Sequence, residues 1–133
     1  MGSREGSRRK LIVEELSDAV NFHREPMKTP YRQTEHGIQQ AIIEWLQYKG
    51  YFVWRHNSGM VRTMGNTMVR MGVAGMPDVF ALKDGFLIGV EVKKKGNKPT
   101  DIQERMLKEL RDHGCGTCIA HSVDELEKWL KLL

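Results

Sequence analysis

The sequence predicts a single α/β domain, because segments with helical spacing alternate with segments of strand-like alternation from residue 34 onwards. The clearest helical spacing lies between Thr34 and Gly50, and the clearest strand alternation lies on either side of Asp84-Gly85. At 133 residues the chain is long enough for one hydrophobic core and too short for two. We therefore expect one domain over residues 34–133, preceded by an arm over residues 1–33.

The arm over residues 1–33 starts rich in Gly and Arg and ends in a linker bounded by Pro26 and Pro30. A short amphipathic helix over residues 11–22 is one interpretation, and a frayed tail is the alternative. No apolar run reaches the ~18 residues of a membrane span, and the N-terminal apolar stretch is too short for a signal peptide. We expect an intracellular, cytoplasmic protein with no membrane partner.

The first helix of the domain is predicted to begin after Thr34, a good N-cap, and to end at Gly50. Apolar residues at helical spacing form its inward face: Ile38, Ala41, Ile42, Trp45 and Leu46. Glu35 lies in the first turn and points from the buried face. Its carboxylate has two interpretations, as a favourable charge at the helix N-terminus or as part of a site.

A hairpin around Asp84-Gly85 is predicted to bring two carboxylates together. This dipeptide favours a two-residue turn that pairs Lys83 with Phe86. Continuing the same register places Asp78 opposite Glu91. Like charges directly opposed on a sheet are destabilising, and a divalent cation would compensate them.

The second strand of this hairpin is predicted to have two different faces. Ile88, Val90 and Val92 share the core face. Gly89, Glu91 and Lys93 share the other, where we expect Gly89 to leave room for a ligand above the sheet.

Between the first strand, over residues 51–55, and this hairpin lies a Gly- and Met-rich segment, residues 56–76. A near-repeat of Met-Val-Arg within it favours a small hairpin around Gly65-Asn66. Arg62 and Arg70 could then hold phosphates, or they could be solvated surface charges.

After Lys93 the sequence predicts a basic loop, a helix, a strand and a last helix. The helix begins at Thr100, and a Thr-x-x-Gln capping box accounts for Gln103 without any active site. The strand covers residues 115–120, and Ser122 starts the last helix.

Cys115 and Cys118 form a lone C-x-x-C pair within the predicted strand. Residues three apart on a strand point to opposite faces, so zinc or redox chemistry is weakly supported and buried thiols are favoured. No Gly-rich phosphate loop is present, so we predict no nucleotide cofactor.

The net charge of +4 is unevenly distributed. Residues 55–98 contain eight Lys or Arg against three acids, two of which are Asp78 and Glu91. A basic surface around a carboxylate pair suits a polyanionic substrate.

The order of these motifs resembles the PD-(D/E)xK nuclease superfamily: a helix bearing Glu35, then Pro77-Asp78, then Glu91-Val92-Lys93. With Gly75-Met76 before the first motif, the strand end at residues 54–59 and Thr100-x-x-Gln103 after the second, residues 34–133 look like a stand-alone virus-type replication-repair nuclease (VRR-NUC) domain.

This resemblance implies a restriction-endonuclease-like core, in which a mixed central sheet is flanked by helices. It implies Mg²⁺ or Mn²⁺ held by Asp78, Glu91 and the backbone carbonyl of Val92, with Lys93 near the attacking water. It places Glu35, acting directly or through water, and Gln103 at the rim of the metal site. The residues expected to contact DNA are Arg55, Asn57, Ser58, Arg62, Arg70, Lys94, Lys95 and Lys98.

The expected function is therefore metal-dependent endonucleolytic hydrolysis of DNA. Stand-alone proteins of this type resemble phage junction resolvases, which implies a homodimer acting on branched DNA such as four-way junctions. The alternatives are a DNA-binding or assembly module of the same fold that does not cut, and a flap or duplex nuclease.

Overall fold

The computed structural model describes residues 24–56 and 59–133, which form three helices and six strands. In chain order these are α1 (Glu35–Tyr48), β1 (Phe52–Arg55), β2 (Gly59–Arg62), β3 (Met68–Met71), β4 (Val79–Lys83), β5 (Phe86–Val92), α2 (Asp101–Asp112), β6 (Gly116–Ala120) and α3 (Val123–Leu130). The elements predicted for the domain are all present within a few residues of their expected bounds. The helix expected over residues 11–22 lies outside the described residues.

Four strands form a mixed central sheet in the order β1-β4-β5-β6. The pairs β1–β4 and β4–β5 are antiparallel, and β5 and β6 are parallel. The parallel pair is joined through α2, as a parallel connection requires. The predicted α/β class with a mixed sheet and flanking helices is confirmed.

The β4–β5 hairpin has the predicted two-residue turn. Asp84 and Gly85 both have positive φ values, 52° and 79°, which is the backbone of a type I′ turn. Lys83 pairs with Phe86, and the regular ladder ends at Val79 opposite Val90. In this register the next two residues along are Asp78 and Glu91.

One face of the sheet carries the hydrophobic core. Helices α1 and α3 pack on this face, and the side chains that alternate toward it from β4, β5 and β6 are buried. The fully buried members include Ile42, Leu46, Val79, Ala81, Ile88, Val90, Val92, Ala120 and Leu126.

The opposite face is covered only in part. Helix α2 packs over β6 there, and Arg111 Nη1 donates a hydrogen bond of 2.9 Å to Thr117 Oγ1 on that strand. Because α2 lies on an edge strand, Leu107 is the one α2 residue that is fully buried, and Ile102 remains 50% exposed. No helix of the described ranges packs on this face of β1 and β4.

The caps that the sequence predicts are present. Thr34 Oγ1 accepts from Gly37 N at 3.0 Å, and α1 is followed by Gly50 with φ of 89°. Thr100 and Gln103 form a complete capping box at the start of α2.

Strands β2 and β3 form a separate two-stranded hairpin, as the near-repeat predicted. Its antiparallel register pairs Met60 with Arg70 and Arg62 with Met68. Every residue from Met60 to Met71 is exposed, including five large apolar side chains on the two strands: Met60, Val61, Met68, Val69 and Met71.

The described part of the arm contacts α3 through Lys28. Lys28 Nζ lies 2.8 Å from Glu127 Oε2 and 3.8 Å from Asp124 Oδ1. Within residues 24–56 and 59–133, no helix is both long and apolar enough to cross a membrane.

Candidate functional site

Asp78 and Glu91 lie at the ends of neighbouring strands, one residue beyond the last pair of the β4–β5 ladder. Asp78 Oδ2 accepts a hydrogen bond of 3.0 Å from the backbone N–H of Val92, and Asp78 O accepts one of 2.8 Å from His56 N. These two bonds tie Asp78 to β5 on one side and to the end of β1 on the other. The carboxylate of Asp78 therefore has a fixed position beside Glu91.

Glu91 is completely buried, and neither of its carboxylate oxygens has a hydrogen-bond partner. The β5 residues from Ile88 to Val92 are buried on both faces, so the predicted chemical face is covered as fully as the core face. Removal from water, followed by repulsion from Asp78, raises the pKa of Glu91 to about 8. A buried carboxylate that accepts no hydrogen bond is a costly arrangement in a folded protein.

The pKa of Asp78 is also raised, chiefly because the carboxyl is partly removed from water. The hydrogen bond from Val92 N favours the charged form and opposes this effect, whereas the negative charge of Glu35 adds to it. The negative charge of each carboxylate disfavours ionisation of the other, so the protonation states of Asp78 and Glu91 depend on each other.

Lys93 is the cation of this site. Its Nζ lies 3.6 Å from Glu91 Oε1, and its side chain is 13% exposed. This is close enough for attraction but beyond hydrogen-bond length, so the Glu91 oxygens remain unsatisfied. The next residue, Lys94, is exposed.

The space above Gly89 is filled by protein, which corrects the expectation that it is open to a ligand. A Cβ atom at Gly89 would lie 2.8 Å from Pro77 Cγ and 3.4 Å from Phe80 Cε1. Pro77, directly before Asp78, therefore packs on the β5 backbone. Gly75 is equally confined, because its Cβ would lie 2.5 Å from Ile102 Cγ2 on α2. The glycines allow the Pro77-Asp78 segment to lie flat on the sheet.

Glu35 and Gln103 are placed differently from the acidic pair. Glu35 is exposed at the start of α1, yet its charge raises the pKa of both Asp78 and Glu91. Gln103 Oε1 accepts a hydrogen bond of 2.9 Å from Thr100 N, so the side-chain oxygen of Gln103 is part of the capping box. Their roles at a metal site remain predictions.

The basic residues form two exposed groups near the ends of these strands. Lys94, Lys95 and Lys98 lie in the loop directly after β5, and Arg55 ends β1 opposite Val79. Arg62 Nη1 donates to Asn66 Oδ1 within its own hairpin, whereas Arg70 is exposed on the neighbouring strand. Asn57 and Ser58 lie outside the described residues, so their predicted DNA contacts stay predictions.

In the described part of the chain, no three His, Cys, Asp or Glu side chains converge into a metal-binding group. The donor set at the acidic pair nonetheless suits a hard cation: two carboxylates, one of them with both oxygens unsatisfied, and the predicted backbone oxygen of Val92. Mg²⁺ and Mn²⁺ accept such oxygen ligands together with water.

The cysteines are free thiols. Cys118 is buried within β6, where loss of solvation raises its pKa to about 12, and Cys115 precedes the strand and is partly exposed. Burial likewise raises the pKa of Cys115. The buried environment favours inert thiols over metal or redox chemistry.

His56 also borders the site, although the sequence pattern did not indicate it as a site residue. Its backbone binds Asp78, its ring lies edge-on against Phe80 with centroids 5.8 Å apart, and its buried Nε2 has no hydrogen-bond partner. Side chains two residues apart on a strand point to the same face, so the spacing of His56 and Trp54 could have indicated that both lie on one face. Trp54 pairs with Phe80, which places His56 on the face of the acidic pair.

Comparison with known proteins identifies no relative of this chain. No protein-family model matches the sequence, and no match to a curated protein or to a solved structure was found.

Proposed function

We propose that this protein is a Mg²⁺- or Mn²⁺-dependent endonuclease that hydrolyses DNA, with a core of the restriction-endonuclease type. One observation carries the proposal: Glu91 is fully buried with two unsatisfied carboxylate oxygens, beside a second acid and a lysine. Such a cluster is costly to keep unless its charges are used, and perturbed carboxyls gather at functional sites.

Each residue of the cluster has a distinct part in this proposal. Asp78, oriented by Val92 N–H, and Glu91 would hold the cation with the carbonyl oxygen of Val92. When bound, the metal supplies Lewis-acid polarisation of a phosphate and a lowered pKa for a water ligand. Lys93 offers positive charge where charge builds on the phosphate during attack. Glu35 and Gln103 are the proposed residues at the rim.

DNA is the proposed substrate because exposed lysines lie in the loop directly after β5, next to this cluster. The β5–α2 loop contributes Lys94, Lys95 and Lys98 close to Lys93. Arg55 lies at the same end of the sheet, but it pairs with the core-facing Val79, so its side chain starts from the face opposite to Asp78. Phosphate contacts of this kind supply most of the affinity of non-specific DNA binding.

Branched DNA, such as a four-way junction, and a homodimer are the finer parts of the proposal. Symmetric incision of a symmetric junction requires two active sites. The β2–β3 hairpin supports dimer formation, because its exposed apolar side chains are of the kind that protein interfaces bury.

The decisive experiment compares two substitutions on one strand. Asp78→Asn should abolish cleavage of labelled junction, flap and duplex DNA in Mg²⁺ or Mn²⁺, with EDTA as the metal-free control. Asp84→Asn removes the same charge at the other end of β4, in the exposed turn, and should leave cleavage unchanged. A cleaving Asp78→Asn protein would refute the site, and a native protein that binds DNA without cutting would favour the non-cleaving module.

The lysines supply a second comparison within the same assay. Lys93→Ala should lose cleavage while Mn²⁺ affinity, measured by calorimetry, changes little, because an ammonium group cannot ligate a cation. Lys94→Ala removes an exposed charge and should reduce cleavage only slightly. A larger loss in Lys94→Ala than in Lys93→Ala would contradict the assignment.

A further inference from the structure

Four aromatic rings stand together on the sheet face that carries Asp78 and Glu91. Trp54 and Phe80 are direct cross-strand partners, with ring centroids 5.5 Å apart and planes only 18° from parallel. His56 lies edge-on to Phe80, and Phe52 lies 5.7 Å from Trp54 at 46°. The near-parallel pair is an offset stack of the kind that aromatic rings favour.

This stack ends at the edge of the sheet. Phe80 is enclosed, with 7% of its surface exposed, whereas Trp54 is 37% and Phe52 69% exposed. Strand β1 is an edge strand, and none of the strands in residues 24–56 and 59–133 pairs with its outer side. Phe80 covers one side of the Trp54 indole, so the exposed part of that ring lies away from Phe80. A further planar ring can extend the stack there.

The open end of the stack lies near the acidic pair. Phe80 follows Asp78 by two residues on the same face of β4, and Trp54 is the direct neighbour of Phe80 on β1. At ~3.4 Å per residue along a strand and ~4.8 Å between strands, the Trp54 backbone is within roughly 10 Å of Asp78. A DNA strand with one phosphate per ~3.4 Å of helix covers that distance in a few nucleotides.

Neither internal packing nor a second copy of the chain accounts for the exposed rings. An aromatic pair can stabilise an edge strand, and Trp54 packs on Phe80 in this way, but that role leaves part of Trp54 and most of Phe52 exposed. A second copy of the chain would need about 800 Å² per partner for a stable interface. The exposed parts of Phe52, Trp54 and Leu82 offer roughly 300 Å², given that a whole aromatic side chain covers about 150 to 250 Å².

We infer that Trp54, backed by Phe80, is a stacking site for an unpaired nucleobase of the DNA strand that lies beside the acidic pair. The inference rests on the proposed DNA substrate and narrows it to branched DNA with unpaired bases next to the site, such as a flap, in place of a fully paired four-way junction. The local excess of positive charge over residues 55–98 is complementary to the phosphates of that strand. In duplex DNA every base is already stacked, so this site selects unpaired bases.

The test measures binding in EDTA, so that cleavage plays no part. A labelled oligothymidylate is titrated with the full chain and with Trp54→Ala, Trp54→Phe and Leu82→Ala variants. Loss of one base stack predicts about tenfold weaker binding for Trp54→Ala, and Trp54→Phe should keep most of the affinity. Leu82→Ala removes a part-exposed apolar side chain that pairs with Phe52, and should bind as the native chain does.

Duplex DNA of the same length supplies the substrate control, since its binding should not depend on Trp54. Oligothymidylate should quench tryptophan fluorescence in the native chain, and this quenching should be much reduced in Trp54→Phe. Because Trp54→Phe keeps an aromatic ring, this measurement tests the site even if Trp54→Ala misfolds. Native affinity in both Trp54 variants, or equal losses in Trp54→Ala and Leu82→Ala, would overturn the inference. So would a Trp54→Ala protein that sediments as a smaller species, because a second copy would then cover the patch.

The outcome is separable from that of the proposed nuclease. A protein that cuts no DNA but loses oligothymidylate binding in Trp54→Ala keeps the stacking site and refutes the enzyme. If the protein cuts DNA and both Trp54 variants bind oligothymidylate with native affinity, the nuclease is supported and the stacking site is refuted.

Discussion

The burial of Glu91 makes the stability of the folded protein depend on pH. Its carboxyl is buried, lacks hydrogen bonds and faces another acid, so its pKa rises from an ordinary value of 4.5 to about 8. The folded chain therefore binds this proton more tightly than the unfolded chain does. Between those two pH values, stability must fall as pH rises, because only the folded state retains the proton.

Replacing Glu91 with Gln tests this linkage directly. Gln cannot ionise, so in EDTA the Glu91→Gln protein should be more stable than the native protein above pH 8. A pKa raised from 4.5 to about 8 corresponds to roughly 5 kcal/mol at about 1.4 kcal/mol per pKa unit, so we expect a gain of up to that order. Near pH 4.5 the advantage should disappear, because folded Glu91 then keeps its proton and the unfolded chain gains little by ionising. Denaturant unfolding across this pH range measures both limits.

The matched control is Glu104→Gln, which removes an exposed carboxylate from α2. Its stability profile should run parallel to that of the native protein. A parallel profile for Glu91→Gln as well would show that Glu91 titrates normally and that its burial is relieved in solution.

At the scale of elements, the position of Asp78 depends on how closely its segment packs on β5. Pro77 lies where a side chain at position 89 would be, and α2 lies where one at position 75 would be. A bulkier residue at either position would push the Pro77-Asp78 segment away from the sheet. The two glycines thus connect α2, β4 and β5 to the geometry of the acidic pair.

Gly89→Ala should therefore destabilise the protein and reduce cleavage together. The added methyl group meets the rigid Pro77 ring at 2.8 Å, and overpacking of this kind typically costs about 1 to 3 kcal/mol. Gly65→Ala is the control, because a Cβ there meets only Thr63 Oγ1 at 3.8 Å. Denaturant midpoints and single-turnover rates report the two effects. Native stability in Gly89→Ala would show that Pro77 can move away freely.

At the scale of the whole molecule, the β2–β3 hairpin carries an apolar surface of its own, in addition to the aromatic stack beside the acidic pair. The acidic pair and the loop lysines lie at one end of the central sheet, whereas the β2–β3 hairpin exposes apolar side chains along both strands. Val61, Val69 and Met71 share one face of that hairpin without any charge among them. Such a face suits contact with another protein surface.

If the hairpin forms the proposed dimer interface, Val69→Asp should convert the dimer to a monomer. Burying an unpaired carboxylate at an interface is strongly unfavourable. Leu132→Asp places the same charge at an exposed C-terminal position and should leave the dimer intact. Sedimentation at micromolar concentration distinguishes the two states. A native chain that sediments as a 15.3 kDa monomer would contradict the dimer.

Much of this fold could be predicted from the sequence, because the deciding interactions are local. Asp84-Gly85 adopts the positive φ values that set the hairpin register, and that register places Asp78 and Glu91 at neighbouring strand ends. Thr34 and Thr100 bind backbone N–H groups three residues away, so the helix starts follow from short segments. Residues close in sequence meet in any compact structure, which makes their pairing predictable.

The tertiary structure alone decided how these parts are enclosed. Nothing near Glu91 in the sequence shows that both faces of β5 are covered, because Pro77 on one face and helix α1 on the other come from other segments. The same holds for His56 against Phe80 and for the open stack on Trp54, which require β1 to be an edge strand. Burial and strand order depend on contacts between distant residues, and local pattern carries no information about which distant segments meet.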